Sequence, residues 1–207
     1  HAEIYVTESS DRAFEEEVML SGFANAQVKA EGQGVSFDTA QETYSARYTH
    51  DTVALAFAIT EEAIEDNLYD RLASRYTKAL ARSMSNAKQV KAAKPLNDGL
   101  PSTDNFDSGD AVSLFSTNHA TVSGTAVKNT LTTQADLNET SLEQALIDIA
   151  AMTDERGLRV AARAMKMIIP SANQFTAERL MKSQGRTGTA DNDINAVVSM
   201  GMVPQGY

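Results

Sequence analysis

Cysteine is absent from the 207 residues. Disulfides, thiolate nucleophiles and thiolate metal sites are excluded with it. Tryptophan is absent too, which by itself excludes nothing. No run of eighteen apolar residues occurs, so no segment is long and apolar enough to cross a membrane as a helix. Positive charge is scarce: 18 Lys and Arg stand against 28 Asp and Glu, a net charge of −10. Affinity for nucleic acid comes largely from phosphate neutralisation by Lys and Arg. The charge therefore argues against a protein whose main task is gripping nucleic acid, but not against a container whose inner wall faces it. What is present is ordinary. An apolar fraction of 42% with 22% charged residues suffices for one or two domains with a real core. The chain opens on His1 with Ile4, Tyr5 and Val6 close behind, and closes just after Met200, Met202 and Val203. Neither end has a polar terminus, and the expectation is an internal part of a longer chain.

The most regular stretch runs from Thr60 to Lys94. Ile64, Leu68, Leu72, Tyr76, Leu80 and Met84 recur every fourth residue, which predicts one long amphipathic helix. Thr60 suits the N-cap, and Pro95 is expected to stop the helix. Glu61, Glu62, Glu65, Asp66 and Asp70 come first, and from Arg71 to Lys94 every charge is positive. That order opposes the helix macrodipole. A strict four-residue spacing drifts around a straight helix, so curvature or a break is expected near Asn67.

Before this spine, Asp11 to Leu20 can form a helix with Phe14, Val18 and Met19 on one side. Residues 24 to 59 read as a long two-stranded ribbon. Ala26, Val28 and Ala30 alternate in its first strand, Tyr44, Ala46 and Tyr48 in its second, and the polar stretch Asp38, Thr39, Ala40, Gln41, Glu42 and Thr43 makes the turn. Two such strands cannot bury both faces within themselves. The ribbon needs a neighbouring surface, and a second copy of the chain would supply one.

After the spine, more than half of residues 95–135 are Ser, Thr, Asn, Asp or Gly, a long polar loop of the kind usually functional or interfacial. Ala111 to Ser116 and Ala126 to Leu131 can be short strands within it. A helix with a Thr140–Glu143 capping box follows, then an extended run from Leu158 to Ile169 closed by Pro170. A helix with a Ser171–Gln174 box comes last. Helix, strand, helix indicates a small α/β layer.

Few residues carry candidate chemistry. Ser116 and His119 could act as hydrolase nucleophile and base, yet the GxSxG elbow and a third partner are missing. A turn with local hydrogen bonds explains them more economically. Asp104, Asn105, Asp107 and Asp110 do not have the spacing of a calcium loop. Gly185 and Gly188 flank Arg186 without a Walker lysine, and Gly32 and Gly34 open no helix. The basic half of the spine reads as a solvated, dipole-matching face. Met152, Met165, Met167 and Met181 read as apolar packing. No catalytic residue, cofactor or metal is expected.

Several segments together resemble the major capsid proteins of tailed bacteriophages, the Hong Kong 97-type fold. They are GFANAQVKAEGQGVSFDTAQETYSARYTHDTVALAFAITEEAIEDNLYDRL (Gly22–Leu72), ALARSM (Ala79–Met84), LFSTNHAT (Leu114–Thr121), TDERGLRVAARAMKMIIP (Thr153–Pro170) and GTADNDINAVVSMGMVP (Gly188–Pro204). No single motif is diagnostic; their order and spacing carry the likeness. The resemblance implies an α+β fold with an extended β-ribbon loop, a long spine helix in a peripheral domain, and an α/β axial domain. Residues 1–23 would be the remnant of an N-terminal arm, 24–59 the extended loop, and 60–135 the peripheral domain with spine and polar loop. Residues 136–207 would be the axial domain, incomplete at its C-terminal end.

The implied function is self-assembly into an icosahedral shell enclosing double-stranded DNA, without catalysis. Implied partners are other copies of the chain in hexamers and pentamers, DNA held non-specifically, and scaffold, portal or decoration proteins, with no membrane. The place is the virion, after assembly in the host cytoplasm. Asp38 to Thr43 are the candidate inter-subunit contacts. The alternatives are an encapsulin-like compartment shell and, from another class, a soluble Ser116–His119 hydrolase.

Overall fold

A computed structural model describes residues 4–66, 70–101, 107–186 and 193–199. The chain divides into two compact units, His1–Val18 with Tyr44–Leu114, and Met19–Thr43 with Phe115–Tyr207. Strands β1 (Phe14–Leu20) and β2 (Glu42–Thr49) form a two-stranded sheet, antiparallel because Ala13 faces His50 at one end and Ser21 faces Gln41 at the other.

In the first unit the helix expected over Asp11–Leu20 is replaced by β1. Strand alternation puts Phe14, Glu16 and Val18 on one face. There the Arg47 guanidinium lies 4.5 Å from the Phe14 ring centroid and 3.4 Å from the Glu16 carboxylate. Cross-strand partners of this kind outweigh a modest local helix preference.

The spine begins directly after Thr60 as α1 (Glu61–Glu65), and α2 spans Asp70–Asn97, about 42 Å at 1.5 Å per residue. Asp66 is a turn, and the break expected near Asn67 falls outside the described residues. Pro95 does not stop the helix, which runs two residues further. Proline gives up its own N–H bond and crowds the carbonyl four residues back, yet so near the helix end few bonds follow it, and Asp98 N–H still donates to Lys94 C=O at 2.9 Å.

Residues 50–59, expected as a strand, have no ladder and lie along α2 instead. Asp51 pairs with Lys91, and the Phe57 and Tyr76 rings are 5.9 Å apart. Six extended residues cover about 20 Å, matching fifteen helical residues at about 22 Å, so the segment runs antiparallel to the helix. Tyr5 Oη donates to Ala92 C=O at 2.8 Å and ties the N-terminal segment to the same helix. Among the described residues of this unit no apolar side chain is buried.

The second unit holds the core. Helix α3 (Glu139–Ala150) is capped by Asn138. Asn138 Oδ1 accepts from Ser141 N–H at 2.9 Å, and Ser141 Oγ accepts from Asn138 N–H at 3.0 Å. The box expected at Thr140–Glu143 is thus displaced by an earlier, equally good cap. A 3₁₀ turn (Ser171–Asn173) leads into α4 (Gln174–Lys182), whose cap position makes no side-chain bond, so the Ser171–Gln174 box does not form.

Leu142, Leu180, Met181 and Val197 of α5 (Ala196–Ser199) form the core, with Leu137, Leu146 and Met167 against it. Asn195, 1% exposed, joins two of these elements. Its Nδ2 donates to Leu180 C=O at 2.7 Å, and its Oδ1 accepts from Val197 N–H at 3.1 Å.

The strand expected over Leu158–Ile169 is reduced to one bridge, Thr153 with Arg159, because an extended run without neighbouring strands has nothing to hold it. The short strands expected at 111–116 and 126–131 likewise amount to the bridges Asp107–Ser113 and His119–Val127. The architecture is mixed helix and strand, with helices supplying the core.

Candidate functional site

Two of the residues that could carry chemistry, Ser116 and Arg186, are engaged structurally. Ser116 is buried; its Oγ accepts from Asn118 N–H at 3.1 Å and its N–H donates to Asn129 Oδ1 at 2.9 Å. That hydroxyl organises a turn. Arg186 Nε donates to Glu139 Oε2 at 3.1 Å, an ion pair with a nearly buried carboxylate. Gly188, Asp104 and Asn105 lie outside the described residues. Among the described residues no three His, Asp or Glu converge as a metal site.

The ribbon expected over residues 24–59 does not form, because β2 pairs with β1 and the expected first strand is irregular; a local turn lies near Ala30–Gln33 instead, where Gly32 has φ +80° and Gln33 N–H donates to Ala30 C=O at 3.2 Å. Asp38 to Thr43 form the neck from which this loop extends. Ser21 N–H donates to Gln41 C=O at 2.8 Å, Gln41 N–H to Ser21 Oγ at 3.0 Å, and Thr43 Oγ1 to Met19 C=O at 3.1 Å. Asp38 accepts from Ala24 N–H at 2.7 Å and from Thr39 N–H at 2.9 Å.

Arg156 closes the neck, donating from Nε to Gly22 C=O at 3.2 Å and from Nη2 to Thr39 C=O at 2.7 Å. It is presented by a tight turn. Asp154 Oδ1 accepts from the N–H groups of Arg156 and Leu158 at 2.9 and 2.7 Å, and Gly157 takes φ +82°. Sequence reasoning missed Arg156, although Asp154 and Gly157 stand at the first and fourth positions that favour a type I turn.

The Ala24 and Thr39 amides, aided by the Arg156 charge, hold the Asp38 carboxyl below its usual range. A carboxylate with a lowered folded-state pKa contributes stability above its unfolded value, and loses it as pH falls through the folded one. The neck is therefore expected to hold above pH 3.8 and to loosen below it. Amide exchange should report this as protection of Ala24 and Thr39 that falls on acidification in the native chain. In Asp38→Asn the pH dependence should be absent; flat protection in the native chain would contradict the assignment.

Between the two sides of the neck, residues 25–37 form no regular structure and cover nothing. Phe37 is 97% exposed and Val28 fully so, with Val35 and Phe23 mostly exposed. Burying each such side chain stabilises by roughly 1.5–3 kcal/mol. Three of them, Val28, Val35 and Phe37, lie in one clamped loop and have no cover among the described residues. In the first unit Val53, Leu55, Tyr76 and Val90 are likewise exposed. Where exposed apolar side chains cluster, they mark interaction surfaces.

The model of a protein family described as phage capsid protein matches residues 43–206. No curated protein and no solved structure matches the chain.

Proposed function

The chain belongs to the phage capsid protein family, and we propose that within it this protein is the major head protein of a tailed bacteriophage, forming the icosahedral shell around double-stranded DNA. The family is structural and non-enzymatic. Membership implies assembly with copies of itself into a shell and a place in the virion.

The finer reading rests chiefly on one observation: the clamped loop 25–37 places Val28 and Phe37 in water at 101% and 97% exposure. A fold that holds such a loop by its neck, yet gives it no cover, needs a neighbouring copy. Symmetric assembly supplies the same cover to every copy. In this reading residues 24–59 are the extended loop of a Hong Kong 97-type subunit, with Asp38 to Thr43 among the contacts at its base. Residues 60–135 are the peripheral domain built on α1 and α2, residues 136–207 belong to the axial domain, and residues 1–23 are the arm. Hexamers and pentamers form in the host cytoplasm, with scaffold, portal or decoration proteins as further partners.

The test is the content of purified particles. Nuclease-protected double-stranded DNA inside shells built of this chain is expected. Shells filled with protein cargo and free of DNA would replace the phage reading by a compartment.

A further inference from the structure

We propose that the polar face of α2, carrying Arg75, Lys78 and Arg82, is a docking surface for the phosphate backbone of duplex DNA. The proposal rests on the shell reading above and specifies which surface of the subunit meets the genome.

At 100° per residue the three side chains fall within about 60° of arc and along about 10 Å of the axis. All three are exposed, and no described carboxylate forms an ion pair with them. The sequence has no Asp or Glu from Arg71 to Asn97. In a chain of net charge −10, this makes α2 a place where a polyanion can approach.

The half-buried Leu80 and Ala87 lie on the other side of the helix, the side along which Phe57 meets Tyr76. The basic face therefore points away from the apolar one. Its further residues, Ser74, Ser85 and Asn86, are small or polar and exposed. A second copy of the chain would require apolar anchors at the centre of such a contact. Phosphates require only cations, amides and hydroxyls.

Binding of a short labelled DNA duplex by the full, unassembled chain tests this, with anisotropy read across a salt series. Three phosphate contacts give a slope of about −3 for log K against log salt. The variant Arg75→Gln/Lys78→Gln/Arg82→Gln should lose about tenfold or more in affinity at low salt and most of that slope. Lys88→Gln, on another side of the helix, should change the slope by less than about one.

No duplex binding by the unaltered chain, or unchanged binding by the triple variant, would overturn the proposal. So would equal affinity for anionic phospholipid vesicles, or a triple variant that binds duplex normally but cannot form shells. Micrographs distinguish a wrong surface from a wrong shell reading. If the unaltered chain forms shells and the triple variant retains its DNA affinity, this surface is wrong and the shell reading stands. If the unaltered chain forms no shells, the shell reading itself fails.

Discussion

Val28→Asp/Phe37→Asp is expected to leave the subunit folded and to abolish shell formation. Neither side chain loses a contact within the chain, since both are exposed almost as fully as in an extended peptide. Surface substitutions away from special features shift stability by about 0.5 kcal/mol or less, so the thermal melt should barely move. Assembly is different. Each wild-type side chain would gain roughly 1.5–3 kcal/mol on burial against a neighbour. Each aspartate would instead carry an unpaired charge into that contact, at a cost of several kcal/mol. The loss recurs in every copy. Sedimentation should find subunit-sized material and no particles. Normal shells from this variant would mean that the loop does not seat on a neighbour.

The largest loss of subunit stability is expected at Leu180. It is 5% exposed and packs with Leu142, Met181 and Val197, and Leu→Ala at such sites costs about 2–5 kcal/mol. Asn195→Ala should cost a further 1–3 kcal/mol or so, because it strips buried partners from the Leu180 carbonyl and the Val197 amide. The core cluster is small, so either change removes a large share of marginal stability. Leu80→Ala on α2 should cost much less, since that side chain is only half-buried. Thermal denaturation of the three variants checks the order. A Leu80 variant as damaging as the Leu180 one would contradict the placement of the core in α3, α4 and α5.

What was legible in the sequence follows from where the forces are local. The spine could be read because a four-residue apolar period, a cap and a charge order all act within the helix itself. The helices at Glu139–Ala150 and Gln174–Lys182 were found for the same reason, although their caps were not, since Asn138 and Thr140 are both competent and only geometry chooses. The strands were largely missed. β1 exists because Arg47, about thirty positions away, faces Phe14 and Glu16, and no window on Asp11–Leu20 contains that partner. The extended runs at 50–59 and 158–169 have strand-like patterns but no neighbouring strand to make them a sheet. In the expected ribbon, alternation marked which residues are apolar but not which end is clamped. Asp38 to Thr43 stand at the neck because of Arg156, more than a hundred residues later. The functional class was legible for a further reason: the segments that carry the resemblance overlap much of the span that the family model matches, residues 43–206.

In the proposed function, each copy completes its apolar contacts only against other copies. Electron micrographs of the purified protein, taken after sedimentation at assembly concentrations, test this directly. Closed, uniform shells tens of nanometres across are expected. Monodisperse single subunits under every assembly condition, with Val28 and Phe37 still reactive to surface-labelling reagents, would contradict it.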